Sequence, residues 1–230
     1  MVLRNILIFG DPVIDRRFVL ERAGISFDPN APLPRIFETQ RHFVTISNQE
    51  YALYYTAGLP SSTAARSSLQ AREVLGNLYR LIRAFDGGIN LLIYVVRANK
   101  PSPSTFRLFY DFLCREDAPI ILVQATDSPT NPVLSWFKLA LTLDGTDPEN
   151  DKINLHKAIA KCLKKDPKVI PPIERFEQTA RESWKLWEKI ANWSLADCRD
   201  ALKYTLKNHG YFSEKDAEAK CESIVESIKK

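Results

Sequence analysis

Three short runs constrain this chain more than anything else in it: Ile6–Phe9, Ile89–Val96 and Ala118–Gln124 are apolar at nearly every position. A strand covered on one face alternates apolar and polar residues. Near-continuous apolarity marks a strand buried on both faces, as in parallel sheets. The stretch from about Thr63 to Phe85 places Leu75, Leu78, Tyr79, Ile82 and Phe85 on one side of a helix, and Gly87 and Gly88 end it. Strands alternating with such helices predict a mainly parallel α/β sheet with helices on both faces.

The remaining elements fit that frame. Val2–Phe9 reads as the first strand, and residues about 14 to 24 as a modest helix stopped by Gly24. Prolines and an asparagine in SFDPNAPLPR enforce an irregular connection. Phe43–Ile46 and Tyr51–Tyr55 flank the turn SNQE and read as an antiparallel hairpin. Ser102 or Ser104 is expected to cap a helix carrying Phe106, Phe109, Phe112 and Leu113. Phe137–Leu143 is a candidate last strand, and Asn154–Lys164 the last helix of the sheet domain. The acidic stretch DGTDPENDK departs from a calcium loop and reads as a solvated turn.

KKDPKVIPPIE, residues 164 to 174, reads as a boundary, which divides the chain into a sheet domain at 1–165 and a helical extension at 166–230. In the extension, Phe176, Ala180, Trp184, Trp187 and Ile190 form one helical stripe. Ser194 and Asp197 have the spacing of a capping box, Gly210 closes that helix, and a third helix follows Ser213. Trp184, Trp187 and Trp193 either pack the helices or offer aromatic anchors to a partner.

Composition excludes more than it selects. The 32 Lys and Arg against 28 Asp and Glu give a formal charge of +4, too mild to require nucleic acid or an anionic membrane. Nor do the tail lysines form a stripe with interleaved aromatics, so no nucleic-acid partner is expected. Cys114, Cys162, Cys198 and Cys221 lack metal-ligand spacing, and each is expected to be a buried thiol. The longest apolar run, INLLIYVV, falls far short of the roughly 20 residues that span a bilayer. No signal peptide is recognised at MVLRNILIFG, and a cytoplasmic setting is the expectation.

The chemistry-bearing candidates begin with the loop after the first strand, in ILIFGDPVIDRR. In the phosphate-binding pattern G-x-x-x-x-G-K-[S/T], backbone N–H groups cradle phosphates, the lysine reaches the β and γ groups, and the hydroxyl binds Mg²⁺. With the frame on Gly10, the second glycine becomes Asp15, the lysine Arg16 and the hydroxyl residue Arg17, while Pro12 lacks an N–H. A carboxylate at Asp15, about 4 to 5 Å from phosphate oxygens, would cost roughly 3 to 4 kcal/mol per contact at an effective dielectric near 20. Arg17 would place a cation where the metal belongs. Arg16 and Arg17 are either solvated or paired with Asp11 and Asp15, or they hold an anion.

About 45 residues downstream, at a strand end, stands ALYYTAGL. Together with LGNLYRLIRAFDGG, INLLIYVVRA and FRLFYDFLCREDAPIILVQATD it resembles the immunity-associated, AIG-type branch of P-loop G-domain proteins, of the fungal stand-alone kind. The resemblance covers residues about 3 to 127. It implies a Ras-like G domain and positions for GTP or GDP and Mg²⁺ at Gly10, Asp15, Arg16, Arg17, Thr56 and Gly58.

Carried over residue by residue, the family's motifs are largely missing. The Asp of Asp-x-x-Gly falls on Tyr55, with Thr56, Ala57 and Gly58 in pattern; the switch threonine falls on Ile36. The guanine-recognition segment becomes Ala125, Thr126, Asp127 and Ser128, with Asp127 one place out of register. The expectation is a pseudo-GTPase without catalytic residues or a bound cofactor, acting on an unidentified protein partner through the C-terminal helices, with a homo-oligomer as one form. Tyr55 and Arg16 are expected to fill the vacated pocket. The alternative is a divergent GTPase that still binds GTP or GDP.

Overall fold

The computed structural model describes residues 3–10, 17–26, 35–59, 70–85, 87–96, 103–125, 137–143, 145–191, 193–210 and 212–229. Six strands form one sheet: β1 (Arg4–Gly10), β2 (Thr39–Ile46), β3 (Gln49–Ala57), β4 (Leu91–Val96), β5 (Ile120–Ala125) and β6 (Leu139–Leu143), in spatial order β2-β3-β1-β4-β5-β6. Among the described strands only β2 is antiparallel to its neighbour; β3, β1, β4, β5 and β6 are parallel. This order, with one antiparallel edge strand, is that of the Ras-like G-domain fold expected from the sequence.

Strand alternation sends each buried strand's side chains into two apolar layers. Ile6, Ile8, Leu53, Leu91 and Ile93 face the layer shared with α1 (Arg17–Arg22) and α4 (Pro148–Cys162). Leu7, Phe9, Tyr54, Leu92 and Tyr94 face the other layer, shared with α2 (Ala71–Ala84) and α3 (Pro103–Arg107). The chain runs on from α3 into a π-helical turn, Leu108–Leu113, which was not legible from its aromatic spacing. That turn sets Phe109 against Phe9, with ring centroids 4.3 Å apart.

Several boundaries are corrected. Gly10, read as the start of a loop, is the last ladder residue of β1, paired with Ala57 and Val95. The hairpin strands extend further than expected around a two-residue loop, Ser47 and Asn48, both at positive φ, which matches strand twist. Ser104 lies inside α3 rather than before it, and Ser102 is outside the described residues. Of the helix expected from about Thr63, residues 63–69 likewise lie outside. At Gly24 (φ +93°) α1 does stop, with Ile25 N–H donating to Leu20 O and Gly24 N–H to Glu21 O.

DGTDPENDK is no solvated turn. Asp147 caps α4, its side chain accepting from Asn150 N–H, and Pro148 takes the first helical position. Buried Asp151 then accepts from Gly145 N–H and from Arg22 Nε, tying α4 to α1.

The C-terminal helices α5 (Pro172–Glu182), α6 (Trp184–Ala191), α7 (Leu195–Asn208) and α8 (Glu214–Lys229) share the α2 layer's core. Trp184, Trp187 and Trp193 are all buried, so the tail's tryptophans pack the protein and are not exposed anchors. Trp187 and Trp193 stack at 5.0 Å, and Trp187 Nε1–H donates to Ser183 Oγ at 2.7 Å. The capping box at Ser194 and Asp197 forms as expected, and the four cysteines are free and buried. Among the described residues no helix is long and apolar enough to cross a membrane.

Candidate functional site

In parallel α/β sheets ligands gather outside the carboxyl ends of the strands. At that edge β1 ends on Gly10 and β3 leads into Gly58. The two glycines meet directly: Gly58 N–H donates to Gly10 O at 2.8 Å. Neither could carry a side chain. A Cβ on Gly10 would stand 2.5 Å from Val95 O, and one on Gly58 would stand 2.6 Å from Gly10 O and 2.4 Å from Thr105 Cγ2. Close packing of three chain segments therefore accounts for both glycines.

Thr105, which nothing in the sequence singled out, completes this closure from α3. Its hydroxyl donates to Leu59 O at 3.2 Å and lies 3.1 Å from Leu59 N–H, which it accepts. A buried hydroxyl answering both backbone groups of one residue fixes the chain as it leaves β3. The signal that could have found it is indirect: a glycine at a strand exit needs something close beside it.

The segment that holds Ile36, the expected switch position, is fixed as firmly. Ile36 forms an isolated parallel bridge with Ala57, and Ile36 O accepts from Asn77 Nδ2 at 2.8 Å. Phe37 N–H donates to Ala57 O, while Thr56 Oγ1–H reaches Glu38 O at 2.9 Å. Thr56 is thus a buried strand residue. Phe37 adopts φ +57°, a left-handed conformation that costs a non-glycine residue about 1 kcal/mol or more. Packing compensates, because its fully buried ring lies edge-on to Phe109 at 5.7 Å and to Trp187 at 5.9 Å. Through Trp187 the C-terminal helices hold this segment in place. Beside it opens a cleft of about 380 Å³ lined by Glu38, Thr39, Arg41, Asn77 and Arg80.

The other expected positions distribute as follows. Tyr55 is fully buried in the layer shared with α1 and α4, two strand residues from Ala57. Arg17 is the first residue of α1. Asp15 and Arg16 lie outside the described residues, and so do Thr126, Asp127 and Ser128; the expected filling of the pocket by Arg16 falls there too. Ala125 ends β5. Among the described residues no group of three or more His, Cys, Asp or Glu could hold a metal ion.

No family model matches the sequence, and no curated protein matches it. Among solved structures the chain is similar to a point variant of Aquifex aeolicus Era bound to GDP and AlF4⁻, at 14% identity over 75% of this chain and 60% of that one, with a TM-score of 0.46. It is similar also to Era in complex with MgGDPNP and a segment of 16S ribosomal RNA, at 13% identity over 74% of this chain and 60% of that one, with a TM-score of 0.45. The chain spans about 60% of the length of these two Era chains.

Proposed function

We propose that this chain is a G-domain protein of the immunity-associated, AIG type that has given up its nucleotide site: a pseudo-GTPase that works by binding another protein. The observation that carries this reading is the hydrogen bond from Gly58 N–H to Gly10 O. In the Asp-x-x-Gly motif it is the glycine N–H that senses the γ-phosphate, and here that donor is already committed within the chain. The surrounding positions agree. Tyr55 offers no carboxylate for Mg²⁺ and is buried in the core, and apolar Ile36 stands in place of the switch threonine. GTP with its metal does not fit these residues.

Binding to a protein is favoured by β2, an edge strand whose outer backbone groups face no neighbouring strand among the described residues. Edge strands of this kind accept an added strand from a partner. Phe43 is 62% exposed there, with the Arg41 guanidinium 4.5 Å above its ring. A second copy of the chain is one such partner, and concentration-dependent sedimentation lost in Phe43→Glu would identify it.

Calorimetric titration of the full chain with GTP and Mg²⁺, and separately with GDP, tests the loss of the site. The expected result is no binding tighter than about 100 μM, roughly −5.5 kcal/mol. Tighter binding would establish instead a divergent GTPase that keeps its ligand.

A further inference from the structure

At the opposite, amino edge of the sheet a cavity of about 290 Å³ lies between the loop before β5 and the start of α5. Its lining carries three cations, Arg115, Lys168 and Arg175, with Asp117 and Cys114. Arg175 is only 5% exposed, yet it makes no ion pair within 4 Å among the described residues. Its Nη2 donates to Lys168 O at 3.1 Å, while Nε has no hydrogen-bond partner. A buried cation left in this state is costly, and proteins ordinarily pair it.

The acids nearby are engaged elsewhere. Asp117 Oδ1 receives Lys164 Nζ at 2.6 Å and Oδ2 receives Lys168 N–H at 3.1 Å. Cys114 does not supply the missing charge, because burial pushes its thiol up to about 12 and keeps it neutral. Arg115 reaches Gln178 at 3.1 Å and Glu182 at 3.9 Å on the outer side. The lining's one carboxylate, Asp117, is thus spent on Lys164 and Lys168 N–H, and three cations share it.

We propose that this cavity binds a phosphate group, free or as the monoester of a small organic molecule, with Arg175 as the buried anchor and Lys168 as the second cation. The volume suits a ligand of that size and is below that of most drug-sized pockets, which run from about 300 Å³ upward. Guanidinium is the group suited to bidentate contact with phosphate. The site is independent of the carboxyl edge, so it stands or falls apart from the pseudo-GTPase reading.

The test uses the full chain at constant ionic strength, titrated calorimetrically with inorganic phosphate and, in a second arm, with phenyl phosphate. Saturable binding is expected in at least one arm, and the tighter arm distinguishes the free ion from an ester. Arg175→Met should weaken it by about tenfold or more, the loss of a hydrogen bond to a charged group. Lys168→Gln, at an exposed residue, should fold normally and weaken it by a few-fold. It reads the site even where Arg175→Met does not fold. Absence of saturable binding in both arms, or binding unchanged in the variants that fold, would overturn the proposal.

Discussion

The two edges of this sheet are opposites in how their polar groups are used. At the carboxyl edge, where α/β folds place ligands, the backbone donor of Gly58 is satisfied by Gly10, and Thr105 and Phe37 seal the neighbouring segments. At the amino edge, where such folds rarely bind anything, Arg175 is buried beside a cavity and makes no ion pair within 4 Å among the described residues. A site therefore has to be located by which groups lack partners and not by the fold's habit.

Perturbing each edge should separate them. The largest effect is expected at Trp187, whose ring joins the C-terminal helices to Phe37. Trp187→Ala should destabilise by about 4 kcal/mol in urea denaturation, with the sheet and C-terminal helices lost in one transition. A loss below about 1 kcal/mol would mean that the helices do not support the carboxyl edge.

Next in size is Gly58→Ala. Its Cβ would strike Gly10 O, which is backbone and cannot move aside, so a loss of about 2 kcal/mol is expected from denaturant midpoints. Thr105→Ser in the same chain removes only the Cγ2 conflict and should restore part of it. If Gly58→Ala were silent, the edge would be open and the comparison would fail.

Arg175→Met should change stability by no more than about 1 kcal/mol in either direction, because it removes an uncompensated buried charge together with one hydrogen bond. A large destabilisation would mean that Arg175 also tethers the fold, and Lys168→Gln would then read the site.

Smallest is the acid dependence of the amino edge. The hydrogen bond from Lys164 holds the Asp117 carboxyl below its ordinary value, helped by Lys168 N–H. A folded-state value below the unfolded one contributes stability above about pH 4, and that contribution is lost as pH falls further. Asp117→Asn should remove less than about 1 kcal/mol of this dependence, since the pair is partly solvated. An unchanged acid profile in urea melts from pH 6 to 3 would discount the pair.

What the sequence disclosed follows from the same physics. Runs such as INLLIYVV announce parallel strands because both faces are covered, and the SNQE turn with its flanking alternation announced the hairpin. Asp147 with Pro148 is a helix-start signal that was misread because the surrounding acids looked like a solvated loop. Thr105 and Arg175 were not legible, for a different reason. Thr105 matters through a strand exit 46 residues away, and Arg175 through the acids it fails to meet, so neither role leaves a local pattern. The tryptophans had two open readings, and only tertiary packing decided between them.

The most direct measurement is amide exchange at Gly58 by nuclear magnetic resonance, with and without GTP and Mg²⁺. The closed edge predicts a strongly protected Gly58 N–H whose exchange and chemical shift do not respond to nucleotide. A Gly58 amide that exchanges freely alone, or shifts on adding GTP and Mg²⁺, would contradict it.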